Sequence, residues 1–210
     1  MSKKRLQQKP TTMKGSKWWG VWLFFILVFV DQLTKLVADA YFNPYSLEAK
    51  SPIEIIPGWL NLTMEYNRGI SYGMGADVKA WIKLAVIAAT AVVMAIFAIA
   101  YFRIDKRRSW LKVAIVLIVA GGVGNLIDRV YYKVWDAETL LGVRDMVDLS
   151  RFGFAVCNFA DFFITGGAVV LILAMLFFDR DALCPLTKKY KALAKEQAEK
   201  DEAKKAAKGK

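Results

Sequence analysis

From Val21 to Ala38 the chain reads VWLFFILVFVDQLTKLVA: ten consecutive apolar residues, then Asp31 and Lys35 among further apolar side chains. A helix needs about 20 residues to cross the hydrocarbon of a bilayer. Extended back to Trp18, this stretch is 21 residues long and meets that length. No small-x-small cleavage site leads from it into polar sequence, and two charges sit inside it, so it reads as a retained helix instead of a removed leader. Three more stretches have the same character: Ala80–Phe102, with Lys83 near its start; Leu111 through the glycine-rich end Gly121–Arg129; and Phe162–Phe178. The expected fold is therefore an all-α membrane protein of four transmembrane helices.

Charge then orients the spans. Residues 1–20 carry +6, residues 101–112 carry +4 and residues 179–210 carry +4. The two longer connections, 39–80 and 129–161, carry −2 and −1. Basic connections stay on the cytoplasmic side. Both termini and the short middle loop are thus expected inside, and the two long loops outside. The overall excess of +11 is an orientation signal, and no nucleic-acid partner is expected for a chain that is 56% hydrophobic. The organisation expected is a basic N-terminus (1–17), a membrane unit (18–178) and a basic tail (179–210). The first outer loop is not linker-like. Ile53–Ile56 and Trp59–Met64 alternate or are β-rich and are punctuated by Pro52, Pro57 and Gly58, which predicts a small β-containing element outside the membrane.

Among 210 residues there is no histidine, which removes Ser-His-Asp triads, Cys-His dyads and His-ligated zinc together. Cys157 and Cys184 have no paired spacing and read as ordinary apolar residues. No metal and no cofactor are expected. The polar residues, however, gather at one membrane face. Asp31 and Lys35, one helical turn apart and able to pair, lie towards the outer end of the first span. Asn67 and Gly69 precede the second. Asn125, Asp128 and Arg129 close the third, and Asn158 and Asp161 open the fourth. Ionisable groups at the edge of the hydrocarbon are costly and face a bundle interior or a wet cavity. Gly121, Gly122 and Gly124 permit close approach of helices there.

Without histidine, two carboxylates are the natural machinery. Held close, they cannot both ionise cheaply; one keeps a proton while the other takes one from water. The candidates are Asp31, Asp128, Asp145, Asp148 and Asp161. Asp31 has Lys35 beside it, and Asp128 has Arg129, which suits ion-paired roles. Asp161 opens a helix that its carboxylate can cap.

Taken in order, Asp31-Gln32-Leu33-Thr34-Lys35, Asn67-Arg68-Gly69-Ile70-Ser71-Tyr72-Gly73, Gly121 to Arg129, Met146-Val147-Asp148-Leu149 and Asn158-Phe159-Ala160-Asp161 resemble the bacterial lipoprotein signal peptidase (signal peptidase II) family over residues 20–178. The resemblance implies an intramembrane aspartyl endopeptidase of the bacterial inner membrane. It would remove signal peptides from diacylglyceryl-modified prolipoproteins by cutting before the lipid-bearing cysteine. It implies a catalytic pair at Asp148 and Asp161. Asn67, Gly69, Asn125, Asp128, Arg129, Asn158, Asp31 and Lys35 would bind substrate or support the site. The partners implied are the lipid-modified substrate and membrane lipids, with the enzyme a monomer. Met146-Val147-Asp148-Leu149 stands where the family has Val-Val-Asp-Phe. Asp145, three residues earlier, is the alternative member of the pair. Two other functions fit four spans and intramembrane charges: a small transporter, and a membrane scaffold whose aspartates serve as caps and ion pairs.

Overall fold

The protein's structure, a computed structural model, describes residues 18–47, 50–69, 78–104 and 108–178, with short pieces of the 191–203 region. The basic N-terminal segment, the Ile70–Gly73 part of the motif, Cys184 and most of the tail lie outside the described residues. Among the described residues, four helices are long and apolar enough to cross a membrane: α1 (Trp19–Phe42), α2 (Ala80–Arg103), α3 (Ser109–Tyr131) and α4 (Phe159–Leu173), the last running on into a wider turn, Ala174–Phe178. Each begins and ends within a few residues of the sequence expectation, and α4 starts earlier, at Phe159, because Asn158 caps it.

The helices bury themselves unequally. In α3, 61% of the most apolar window is inside the protein, against 6% to 17% in the other three. The centre of the bundle is thus α3, packed against α1, α2 and α4. Its glycines explain how. A side-chain carbon at Gly121 would strike Ala160 of α4, one at Gly122 would strike Met94 of α2, and one at Gly124 would lie 2.5 Å from Asp31 Oδ2 of α1. Three neighbours therefore close onto one helix over a single turn, where lipid-facing helices gain most from intimate van der Waals packing. The outward faces carry Trp22, Phe25, Phe29, Ile96, Ile99 and Ile172, all exposed. In water that would be an aggregation liability; in hydrocarbon it is the solvated surface.

A three-stranded antiparallel sheet caps one end, in the order β1 (Ile53–Ile56), β2 (Leu60–Asn67), β3 (Val143–Asp148). The first two strands fall where the alternation in the first outer loop places them. The third comes from the second outer loop, so the sheet ties the two loops together. Ala38, Met64, Met146 and Val147 form a buried cluster that seats the sheet on the end of α1. Between Leu62 and Glu65 the β2–β3 register shifts, Leu62 pairing with Val147 and Glu65 with Asp145. The extra residue lies in β2 and bends that strand locally.

Candidate active site

At the end of the bundle that carries the sheet, the capping of α4 organises the polar residues. The first backbone N–H groups of a helix have no partner within it. Here Asn158 Oδ1 accepts from Asp161 N at 3.1 Å, and Asp161 Oδ2 accepts from Asn158 N at 3.1 Å, a reciprocal capping box. Asp31 of α1 supplies another cap, its Oδ1 accepting from Ala160 N at 2.9 Å. The sequence expectation that Asp161 can cap is met in this particular form.

Asn158 is wholly buried, and its amide N–H groups both point inward. Nδ2 donates to Asp145 Oδ1 at 2.6 Å and to Asn125 Oδ1 at 3.0 Å. Asn125 Nδ2 donates in turn to Asp161 Oδ1 at 2.8 Å. Asn67 Nδ2 donates to Asp145 Oδ2 at 3.2 Å, and the Gly69 N–H donates to Asn67 Oδ1 at 2.9 Å. Asp145 and Asp161 are thus linked through one asparagine, each receiving two N–H donors. Burial pushes the Asp145 carboxyl from 3.8 up to about 7, with the nearby charge of Asp161 adding to it. Asn67, Asn158 and Lys35 pull the other way.

Asp148, favoured in the sequence analysis over Asp145, sits elsewhere. Asp145 is 4% exposed and sits within the cluster, whereas Asp148, the last residue of the strand, is only half-buried. Asp148 accepts from the Ser150 backbone N–H at 2.8 Å and from Asn61 Nδ2 at 3.2 Å. These contacts, the Ser150 bonds foremost, hold its carboxyl below the usual range. The structure joins Asp161 to Asp145 and leaves Asp148 outside the hydrogen-bonded cluster.

Beneath the pair lies a buried ionic group. Lys35 Nζ is 2.9 Å from Asp31 Oδ2 and 3.5 Å from Asp128 Oδ2, and all three side chains are fully buried. The one-turn pairing of Asp31 with Lys35 expected from their spacing is present. Asp128 also pairs with Arg144, Nη2 to Oδ1 at 2.7 Å and Nε to Oδ2 at 3.3 Å. The Arg144 backbone N–H also reaches Asp128 Oδ2 at 3.0 Å, tying β3 to α3. Gln32 Oε1 accepts from Arg144 Nη2 at 3.1 Å, while its Nε2 donates to the Gly124 carbonyl at 3.0 Å. Arg129 is within electrostatic reach of Asp161, Asp145 and Asp128. Farther out, Asp39 accepts from Tyr66 Oη and, at 3.5 Å, from Tyr132 Oη.

Sequence reasoning did not single out Arg144, Gln32, Asn61, Asp39, Tyr66 or Tyr132 for these contacts. Among the described residues no group of three or more Cys, Asp and Glu is placed to hold a metal ion.

Four spans, a small sheet over one end and two linked aspartates at that end define a polytopic membrane protein with an acidic site at the bundle's edge. Comparison with known proteins agrees. Residues 23–177 match the family model described as signal peptidase (SPase) II. A lipoprotein signal peptidase of Fusobacterium nucleatum is 30% identical over 162 residues, 76% of this chain and 87% of that protein. The lipoprotein signal peptidase of Hydrogenovibrio crunogenus is 35% identical over 156 residues, covering 73% and 82%. A bacterial membrane enzyme solved by the in meso method at 2.3 Å superposes with a TM-score of 0.55 at 29% identity, covering 75% of this chain and 87% of the other. A second, solved by the same method at 1.9 Å, gives 0.58 at 26% identity, covering 75% and 92%. The chain belongs to the signal peptidase II family, a family of membrane-bound proteases.

Proposed function

We propose that the protein is an aspartic endopeptidase that removes the signal peptide from diacylglyceryl-modified prolipoproteins, cutting before the lipid-bearing cysteine, with Asp145 and Asp161 as the pair that activates water. The observation that carries this reading is the Asn158 bridge, which joins these two carboxylates and excludes Asp148 from their hydrogen bonds. The substrate class comes from the relatives, which are lipoprotein signal peptidases.

The chemistry follows from one proton shared between two carboxyl groups. The ionised carboxylate takes a proton from a water molecule as its oxygen bonds to the scissile carbonyl carbon. The protonated partner gives its proton to the departing amide nitrogen as the C–N bond breaks. The signal peptide leaves with a new carboxyl terminus, and the lipidated cysteine keeps a free amine. Because the pair titrates as a unit, neither Asp is given a fixed acid or base role. The steps need carboxylates and water, and no cofactor. Asn67, Asn125 and Asn158 orient the carboxylates, and Arg129, within electrostatic reach of both, offsets the charge of a developing oxyanion. Asp31, Lys35 and Asp128 support the site from below.

The charge on the connecting segments supports a reading with both termini cytoplasmic and this end of the bundle at the outer face of the inner membrane. Residues 18–178 form the peptidase unit.

The test is cleavage of a diacylglyceryl-modified prolipoprotein by the purified full-length chain in detergent. Asp145→Asn and Asp161→Asn should each slow it by at least about a hundredfold, while Asp148→Asn stays close to the wild-type rate. Full activity of Asp145→Asn together with loss of activity in Asp148→Asn would return the pair to Asp148.

A further inference from the structure

The Asn125 amide is the point at which the buried ionic group meets the proposed catalytic pair. Its Oδ1 accepts from two donors, Lys35 Nζ at 3.0 Å and Asn158 Nδ2 at 3.0 Å. Its Nδ2 faces Asp161 Oδ1 at 2.8 Å. An amide has a donor end and an acceptor end, and only its surroundings decide which end points where. Turned over, Asn125 would set its NH2 against an ammonium and a second NH2, and its carbonyl against a carboxylate. Each of the three contacts would become a repulsion.

Lys35 contributes the strongest of these constraints because it is charged and cannot turn away. An ammonium has three donors, and each finds an acceptor: Asp31 Oδ2, Asp128 Oδ2 and Asn125 Oδ1. The side chain is fully buried, so no water can replace them. Two carboxylates on two helices hold the cation, and the cation's remaining direction is spent on the amide.

We propose that Lys35 is a positioning residue for Asp161, acting through Asn125: it locks the amide so that Nδ2 always donates to Asp161. This rests on the reading of Asp145 and Asp161 as the catalytic pair. Lys35 touches neither carboxylate of that pair through any hydrogen bond described above. Beyond its charge acting on Asp145 through space, its influence on Asp161 is carried by the orientation of one neutral side chain, which keeps Asp161 Oδ1 aimed and hydrogen-bonded.

The test is a double-mutant cycle on the full-length enzyme with a diacylglyceryl-modified prolipoprotein, reading kcat and KM separately. Lys35→Met should lower kcat by about tenfold to a hundredfold, the range for losing one hydrogen bond to a charged group, with KM within about twofold. In an Asn125→Ala background the same change should alter kcat by less than about threefold, since the route is already cut. Lys35→Met leaves Asp31 and Asp128 under-compensated, so Lys35→Met/Asp31→Asn is measured beside it. Asn at 31 keeps an oxygen for the Ala160 N–H, and the double variant should fold and show the same kcat loss. Effects of Lys35 and Asn125 that multiply independently, a rise in KM with kcat unchanged, or melting of both Lys35 variants below the assay temperature would each overturn the proposal. The last result would assign Lys35 to stability alone. Wild-type cleavage and the Asp145→Asn control in the same assay report on the functional reading itself, so the two failures are distinguishable.

Discussion

Replacing Arg144 by Met tests how β3, and with it Asp145, is held against the bundle. The substitution keeps an unbranched apolar stem of useful length and removes the guanidinium. Lost with it are two contacts to Asp128, at 2.7 and 3.3 Å, one to Gln32 at 3.1 Å and the stacking over Tyr132, 5.4 Å from its ring centre. Asp128 is fully buried, so it stays in low dielectric with Lys35 at 3.5 Å, a cation already shared with Asp31, and the charge of Arg129. Asp31, Lys35, Asp128 and Arg144 together are neutral; without Arg144 they carry one uncompensated negative charge. Breaking a buried pair in this way costs about 3–5 kcal/mol. Lys35 keeps part of the compensation, which places the loss at the lower end, about 3 kcal/mol. For a domain of this size that is a fall of about 6–12 °C in melting temperature. The assay is thermal unfolding of purified full-length protein in detergent. The charge argument has a second arm. Arg144→Met/Asp128→Asn restores neutrality, leaving Asp31 with Lys35, and should recover a large part of the loss. Removing both members of a buried pair is far less costly than removing one. A single variant that melts within about 2 °C of wild type, or a double variant that melts lower than the single, would refute the reasoning.

Two other outcomes follow from particular residues. At Gly124 a methyl group would sit 2.5 Å from Asp31 Oδ2, whereas at Gly166 it would meet nothing within 4 Å. Gly124→Ala should therefore cost about 1–3 kcal/mol and reduce cleavage, with Gly166→Ala neutral in both assays; equal behaviour of the two would contradict the packing. Asp145 gives a pH signature, because its carboxyl is raised from 3.8 to about 7 by burial and by Asp161. Folded protein holds this proton where unfolded protein has lost it, so the stability it lends is complete below about pH 4 and is lost as the pH rises through about 7. Melting temperature should fall over that interval in the wild type and more shallowly in Asp145→Asn, measured by scanning unfolding across pH; parallel slopes would count against the raised carboxyl.

How much was legible beforehand differs by element. The spans were readable because a bilayer imposes one crude requirement, an unbroken apolar length, and Val21–Val30 satisfies it without any knowledge of neighbours. Asp31 and Lys35 were readable as a pair because helical periodicity alone puts them on one face. The strands at Ile53–Ile56 and Leu60–Asn67 showed in local alternation. The third strand did not, since Val143–Asp148 holds Arg144 and Asp145 at positions that are buried only because Asp128 and Asn158 wait there. An ion-paired role for Asp128 was readable from the neighbouring Arg129; its bond to Arg144, sixteen positions on, was not, because it exists only once β3 folds back across the end of α3.

The sequence by itself determined a four-span membrane protein with its acids gathered at one end, and it narrowed the chemistry to carboxylates by lacking histidine. Those properties are sums over composition and local period. Which aspartate joins Asp161 was decided by tertiary structure alone. Asp145 and Asp148 are both acids in one short strand, and nothing local distinguishes them. The Arg144 anchor on Asp128 draws β3 across the end of α3, where Asp145 reaches Asn158 and Asn67, while Asp148, three positions on, bonds to Ser150 and Asn61. That choice places Asp145, not Asp148, on the amide of Asn158.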